Sequence, residues 1–320
     1  MVKIDLITGF LGSGKTTFIR KYAEYLMKKG FHIGILENDF GAVNVDMMLL
    51  QDLLGDNCEL EMISGGCDKE THKRRFRTKL IAMGMCGYDR VLVEPSGIYD
   101  VDEFFDVLRE EPLDGWYEIG SVIAIVDAKL EKNLSEEADY LLASEVAGAG
   151  KVLLSHADEA DPEEMEQTVL HLNSALEAIQ CKRRLNREVM AKNLQELSEE
   201  DLEALANGGY VNESYRKMDM GDHKGFDSLY FMNLPITESR LRTAVEQMMR
   251  DTSCGSIFRV KGFLKKKEGG WLKLNATHNG IQLEPINEGQ EVLIVIGEQL
   301  KESRITAYLQ DDSQGEPQEK

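Results

Sequence analysis

Residues 9–16 read Gly9-Phe10-Leu11-Gly12-Ser13-Gly14-Lys15-Thr16 and fit the phosphate-loop pattern G-x-x-x-x-G-K-[ST] without a mismatch. The flanks match what the pattern demands. Residues 3–8 form a short apolar run that predicts a strand, and the stretch from Thr17 onward predicts a helix. Strand, glycine-rich turn and helix in this order leave few folds open to the chain. The glycines let successive backbone N–H groups curl inward around phosphate oxygens, and the helix adds the positive end of its dipole. Gly9, Gly12, Ser13, Gly14, Lys15, Thr16 and Thr17 are therefore the expected phosphate cradle. Lys15 is expected to reach the β- and γ-phosphates, and Thr16 to offer its hydroxyl to Mg²⁺.

Four further runs, at 32–37, 90–94, 121–127 and 151–155, are short and almost uninterruptedly apolar. Such runs suit strands buried on both faces. Helical stretches lie between them, for example at 101–109 and 163–179. The alternation predicts an α/β fold, a mostly parallel P-loop NTPase sheet with helices on both faces. Ligands in such folds sit beyond the carboxyl ends of the strands, where each motif considered below falls. Residues 1–222 are assigned to this domain. Within it, 184–220 reads as a polar helical connector or insertion, with Ser198 as a helix N-cap, Asp201 in its capping box and Gly208-Gly209 as a stop. From 223 to 310 strands follow strands, at 228–234, 256–264, 271–276, 281–284 and 292–296, with helices at 237–250 and 301–309. This predicts a smaller α+β C-terminal domain with an antiparallel sheet. Residues 311–320 read as a disordered acidic tail.

The chain has 320 residues and a net charge of −20. That balance leaves no basic excess to neutralise nucleic-acid phosphates and disfavours an anionic membrane surface. No run approaches the ~20 apolar residues of a membrane span. Five irregularly spaced cysteines and no visible export signal predict reduced thiols and a cytoplasmic location.

Three strand ends carry further chemistry. Glu94-Pro95-Ser96-Gly97 places a carboxylate where it can hold Mg²⁺, and Gly97 permits close approach of the backbone to a phosphate. Glu37-Asn38-Asp39-Phe40-Gly41 offers two acids and an amide for a metal or an attacking water. Ser155-His156-Ala157-Asp158 follows the fifth run. One carboxylate accepts hydrogen bonds from both N1–H and the N2 amine of guanine, a pair that adenine does not present, so Asp158 is a candidate guanine reader. GTPases usually carry Lys where His156 stands, and an imidazole can stack on the base instead. The competing reading of Asp158 is an ordinary helix N-cap.

Gly65-Gly66-Cys67-Asp68-Lys69-Glu70-Thr71-His72 gathers thiol, carboxylate and imidazole. With Glu37, the residues Cys67, Glu70 and His72 are a candidate set for a transferred Zn²⁺ or Co²⁺. Against it stand Lys69 and the basic run Lys73-Arg74-Arg75-Phe76-Arg77, which repel a cation or contact a nucleotide or an acidic partner.

Together these motifs resemble the CobW-like GTPases, relatives of UreG and HypB. The loop 9–17, the segment 37–41 (with Asp39 where the family has Glu) and 94–97 are similar to the family's phosphate loop, switch segment and Glu-x-x-Gly motif. Residues 255–262 and 293–297 resemble its C-terminal signatures, so the likeness covers roughly 1–310 apart from the acidic middle. The resemblance implies a slow, Mg²⁺-dependent GTPase, cycling between GTP and GDP, that delivers a metal or cofactor to a client metalloprotein, corrinoid-dependent enzymes included. It also implies a nucleotide-dependent homodimer. By position, Lys15, Asp39 and Glu94 are the catalytic candidates, Thr16 and Glu94 the Mg²⁺ ligands. One departure stands out. The family pattern Gly-Gly-Cys-x-Cys-Cys keeps only Cys67, with Lys69 and Glu70 at the other two cysteine positions. Two alternatives remain open: a nucleotide-gated client chaperone with negligible turnover and no metal cargo, and a P-loop small-molecule kinase with Arg74, Arg75 and Arg77 in its lid.

Overall fold

The computed structural model describes residues 1–38, 45–63, 69–95, 101–218, 226–266 and 269–310. Contacts divide the chain into two units, Met1–Asp222 and His223–Lys320.

The first unit alternates strands and helices. Its elements are β1 (Val2–Thr8), α1 (Lys15–Lys28), β2 (Ile33–Asn38), α2 (Val45–Met48), β3 (Cys58–Ile63), α3 (Lys69–Gly84), β4 (Arg90–Pro95) and α4 (Val101–Leu108). They continue with α5 (Leu113–Trp116), β5 (Tyr117–Asp127), α6 (Glu136–Ala147), β6 (Lys151–Ser155), α7 (Pro162–Ala178), β7 (Val189–Ala191) and α8 (Glu199–Ala206). The strands pair in parallel in the order β3-β2-β4-β1-β5-β6-β7. β1 is central, so the loop that follows it opens at the middle of the sheet's carboxyl edge. β2 and β4 are buried along their whole length, as unbroken apolar runs require in a sheet covered on both faces.

The middle region departs from the expectation of a connector or insertion. It supplies β7, the last strand of the sheet, paired to β6 through Val152 and Val189. Leu194, Leu197, Leu202 and Leu205 enter the same core as Phe18, Ile19, Leu26, Ile35 and Ile125. The polar composition of 184–220 hid this: Leu194, Leu197, Leu202 and Leu205 are buried, whereas Ala191, Ala204 and Tyr210 are exposed. Ser198 caps α8 with Asp201 completing a reciprocal capping box, as the sequence predicts.

A buried polar knot fixes the opposite end of the sheet. Arg90 makes two hydrogen bonds to the fully buried Asp5, from Nε at 2.6 Å and Nη2 at 2.9 Å. The Tyr22 hydroxyl and the Ser121 amide also donate to Asp5, both at 2.8 Å. Arg90 Nη2 donates to Ala206 O at 2.7 Å, tying α8 to β4. A charge pair with every lone pair engaged is the form in which buried ions are tolerated.

The second unit holds β8 (Phe226–Met232), α9 (Glu238–Arg250), β9 (Ser256–Lys265), β10 (Trp271–Thr277), β11 (Gly280–Ile286), β12 (Val292–Glu298) and α10 (Glu302–Gln310). Its sheet is antiparallel, in the order β11-β10-β9-β12-β8. Alternate residues Leu272, Leu274 and Ala276 pack with Leu241, Val245, Met248, Ile305 and Leu309 of the two helices. Gly262 has a structural reason: a Cβ there would lie 2.1 Å from Val292 O on the neighbouring strand. No helix among the described residues is long and apolar enough to cross a membrane.

Candidate functional site

The loop between β1 and α1 takes the backbone conformation its glycines permit. Gly9, Gly12 and Gly14 have φ of 147°, 82° and 93°, values that side chains rarely allow. A Cβ on Gly9 would lie 2.1 Å from Ile125 O, so the turn also needs glycine for space. Gly14 caps α1 with no side-chain hydrogen bond, which leaves the first amides of the helix directed at whatever lies beyond the loop. Lys15 is buried, its Nζ donating to Gly9 O at 2.6 Å.

Behind the loop lie three buried carboxyls. Glu94, at the end of β4, accepts a hydrogen bond from Thr16 Oγ1 at 2.9 Å. Its other oxygen is buried without a well-formed hydrogen bond. Burial lifts Glu94 above the ordinary carboxylate range, and the nearby charge of Asp46 adds to this, while Lys15, Glu37 and Thr16 act the other way. Glu37, on β2, is the register partner of Glu94. The third carboxyl, Glu145 of α6, is fully buried and is pushed up to about 8 by that burial. The arrangement suits a divalent ion. A hydroxyl and an incompletely satisfied carboxylate meet at the mouth of the loop, where concentrated negative charge favours a cation.

The Ser155–Asp158 turn lies at the end of β6. His156 has a φ of 51° and its Nδ1 is 3.1 Å from Asp127 Oδ2 at the end of β5. That hydrogen bond raises the imidazole above its usual range, and the charges of Asp127, Glu159 and Asp158 add to it against the effect of burial. The alternative reading of Asp158 as a helix cap does not hold. Asp161 caps α7, in a full capping box with Glu164, and Asp158 is exposed in the turn before it.

The expected ligand set for a transferred ion is not brought together. Residues 69–84 form α3, so Glu70 and His72, two apart on a helix, point to different sides. Glu70 is exposed, whereas His72 is fully buried with Nδ1 3.5 Å from Glu103 of α4. Glu37 is buried beside Glu94 instead. Among the described residues no group of three or more His, Cys, Asp or Glu side chains forms a metal site. Cys67, Asp39 and Gly97 lie outside the described residues. The basic run sits on α3, where Lys73 and Arg77 pair with Glu110.

Sequence reasoning missed Asp46, Asp127 and Glu145. For Glu145 a signal existed: one acid inside the apolar run Leu141-Leu142-Ala143-Ser144-Glu145-Val146-Ala147. Asp46 and Asp127 carry no such mark, being acids near loops in an acid-rich chain.

The chain has relatives among known proteins. The chain is similar to the zinc chaperone YjiA of Escherichia coli (strain K12), 28% identical over 185 residues, 54% of this chain and 55% of the relative. It is 32% identical over 157 residues to the zinc chaperone YeiR of the same organism, 47% of each chain. The chain thus matches about half the length of these curated relatives. A solved structure of Zn(II)-bound YjiA GTPase from E. coli aligns over 96% of this chain and 97% of its own, with 23% identity and a TM-score of 0.40. Residues 3–183 match the nucleotide-binding domain of CobW/HypB/UreG, and residues 230–311 the cobalamin synthesis protein CobW C-terminal domain. With its first matched region covering more than half of its length, the chain belongs to the CobW/HypB/UreG family.

Proposed function

We propose that the protein is a Mg²⁺-dependent, GTP-binding and GTP-hydrolysing switch that assists metal insertion into, or activation of, a client metalloprotein. The observation that carries the nucleotide half is the hydrogen bond from Thr16 to Glu94, which joins the phosphate loop to a carboxylate with one oxygen still unsatisfied. In this reading Lys15 turns from Gly9 O to the terminal phosphates, and the loop amides hold the oxygens beside it. Thr16 and Glu94 hold the magnesium ion, which supplies charge neutralisation to the transferred phosphoryl group. Asp158 reads the guanine edge, and the imidazole of His156, held by Asp127, lies beneath or beside the base. Asp39 or Glu94 orients the attacking water. The cargo half rests on relatives named zinc chaperones.

The separation of Glu70 from His72 favours a second reading, a nucleotide-gated client chaperone that carries no metal through this stretch. One experiment addresses both. Phosphate release from GTP and from ATP is followed with Mg²⁺ and with EDTA, and the Mg²⁺·GTP-bound protein is then titrated with Zn²⁺ and Co²⁺ beside a Cys67→Ala variant. Mg²⁺-dependent turnover of GTP over ATP, with transition-metal binding weakened in the variant, supports the metal-delivering switch. Turnover without such binding supports the second reading. No guanine-nucleotide binding at all overturns both.

A further inference from the structure

Asp102 and Lys217 form an ion pair at 2.8 Å that joins the start of α4 to the end of the first unit. Residues 211–218 have no regular secondary structure, yet they are tied down along their length. The ring of Tyr210, just before them, lies 5.7 Å from that of Phe105 on α4. The Val211 amide donates to Gly148 O at 3.0 Å, and the Arg216 amide to Ile179 O at 2.7 Å. A Cβ on Gly148 would come 3.2 Å from the Phe105 ring, so helix, loop and segment fit closely here. Beyond this segment the chain enters the second unit at His223.

The same helix adjoins the candidate nucleotide site. α4 starts at Val101, soon after β4 ends at Pro95, and Glu94 on that strand accepts the hydrogen bond from Thr16 of the phosphate loop. Val101, Phe104, Val107 and Leu108 bury one face of α4 in the core, and Glu103 meets His72 of α3 at 3.5 Å. Asp102 and Phe105, three residues apart, share another face. The segment 210–218 therefore holds the helix at its first turns, where a displacement at the end of β4 arrives first.

We propose that the Asp102–Lys217 pair and the Tyr210–Phe105 contact are a strap that nucleotide binding loosens, so that nucleotide state sets the freedom of the segment joining the two units. This deepens the nucleotide-switch reading and rests on it. The strap accompanies the arrangement in which Lys15 donates to Gly9 O, the bond that Lys15 leaves in that reading. When Lys15 turns to phosphate, and Thr16 and Glu94 turn to the ion, the end of β4 shifts and α4 follows. Its first turns then draw away from 210–218. By linkage the strap opposes the nucleotide to the same extent that the nucleotide opposes the strap. Lys217 is largely exposed, so its ion pair is a weak latch, one that a bound nucleotide can open at small cost to its own affinity.

The test uses full-length protein with Mg²⁺ and GMPPNP, a GTP analogue that is not hydrolysed. Hydrogen exchange across 210–218 is followed by mass spectrometry in the free and the saturated wild type. Exchange there should quicken severalfold on binding, as the Val211 and Arg216 amides lose their acceptors. Affinity for the analogue is then measured by calorimetry for wild type, Lys217→Gln and Lys217→Arg. Lys217→Gln should bind about two- to fivefold more tightly, and Lys217→Arg like wild type. Loss of a positive charge by itself only weakens the binding of an anion, so a gain reports release of the strap. Arg184→Gln, which cuts the exposed Arg184–Glu177 pair at 3.2 Å, should bring no gain. Unchanged or slower exchange across 210–218 on binding, no gain in Lys217→Gln, or an equal gain in Arg184→Gln overturns the proposal and leaves the nucleotide reading intact. Failure of the wild type to bind either the analogue or GDP overturns the nucleotide reading itself.

Discussion

Glu37 and Glu94 are register partners on the adjacent parallel strands β2 and β4, and both are almost fully buried. Burial disfavours the Glu94 carboxylate, and the negative charge of Asp46 adds to this, while Lys15, Glu37 and Thr16 act the other way. The sign of the pH effect follows. Glu94 titrates higher in the folded chain than its ordinary 4.5, so the fold is penalised as pH rises past that value, and the penalty is complete above the raised one. Glu94→Gln should therefore stabilise the nucleotide-free protein at neutral pH, by roughly 1–3 kcal/mol, the scale of one under-satisfied buried polar group. The advantage should vanish under acid conditions. Mg²⁺ should raise the melting temperature of the wild type and leave the variant unmoved. Thermal melts against pH, with and without Mg²⁺, check this; a variant less stable at every pH would refute it.

Asp158 is exposed, and the cap of α7 belongs to Asp161, so Asp158 can be changed without harm to the helix. Asp158→Ala should weaken GTP binding by about a hundredfold to ten-thousandfold, since two hydrogen bonds to a charged acceptor are lost at about 1.5–3 kcal/mol each. Weak ATP binding should stay unchanged. Competition of both nucleotides against a fluorescent guanine nucleotide gives the two constants. An equal loss for GTP and ATP would mean that Asp158 does not read the base.

Much of this architecture is legible in the chain because short, almost uninterruptedly apolar runs alternating with helical stretches suit a parallel sheet covered on both faces. β1, β2, β4, β5 and β6 all appear as expected, as do the strands of the second unit. What failed has a physical reason in each case. β3 carries Glu59 and Glu61 on an edge of the sheet, so it has no apolar run to find. β7 is three residues long, too short for any period. The expected ligand set treats 67–72 as a loop, where neighbours in sequence can converge, whereas Glu70 and His72 lie on α3. On a helix, positions two apart cannot. The phosphate loop was legible because its function is written in backbone conformation, which glycine reports directly.

His72 offers a test of that correction. Its side chain packs between α3 and α4 against Glu103, so His72→Ala should lower stability by roughly 1–3 kcal/mol by leaving Glu103 buried without that neighbour. Zn²⁺ affinity should stay within about twofold, or 0.4 kcal/mol, of the wild type. Chemical denaturation and a competitive zinc titration measure the two effects separately. A large loss of zinc affinity without loss of stability would restore His72 as a ligand.

Leu194 decides whether the middle region is an appendage or part of the nucleotide domain. It lies in the short helical turn Leu194–Glu196 and is 5% exposed. Its Cδ1 would be 2.9 Å from a Cβ placed on Gly14, so it packs directly beneath the last glycine of the phosphate loop. Lys21 of α1 donates to the Gln195 carbonyl, holding the same turn against the helix that the loop launches. Leu194→Ala should cost about 2–4 kcal/mol through lost transfer energy and the cavity left behind. At roughly 2–4 °C per kcal/mol for a unit of this size, the melting temperature should fall by several degrees. Because the cavity opens under Gly14, GDP affinity should fall as well, and excess Mg²⁺·GDP should recover part of the lost stability by mass action. A surface insertion would tolerate the same change with neither effect. Melting curves at several GDP concentrations separate the two cases, and unchanged melting in the absence of nucleotide would return 184–220 to the status of a connector.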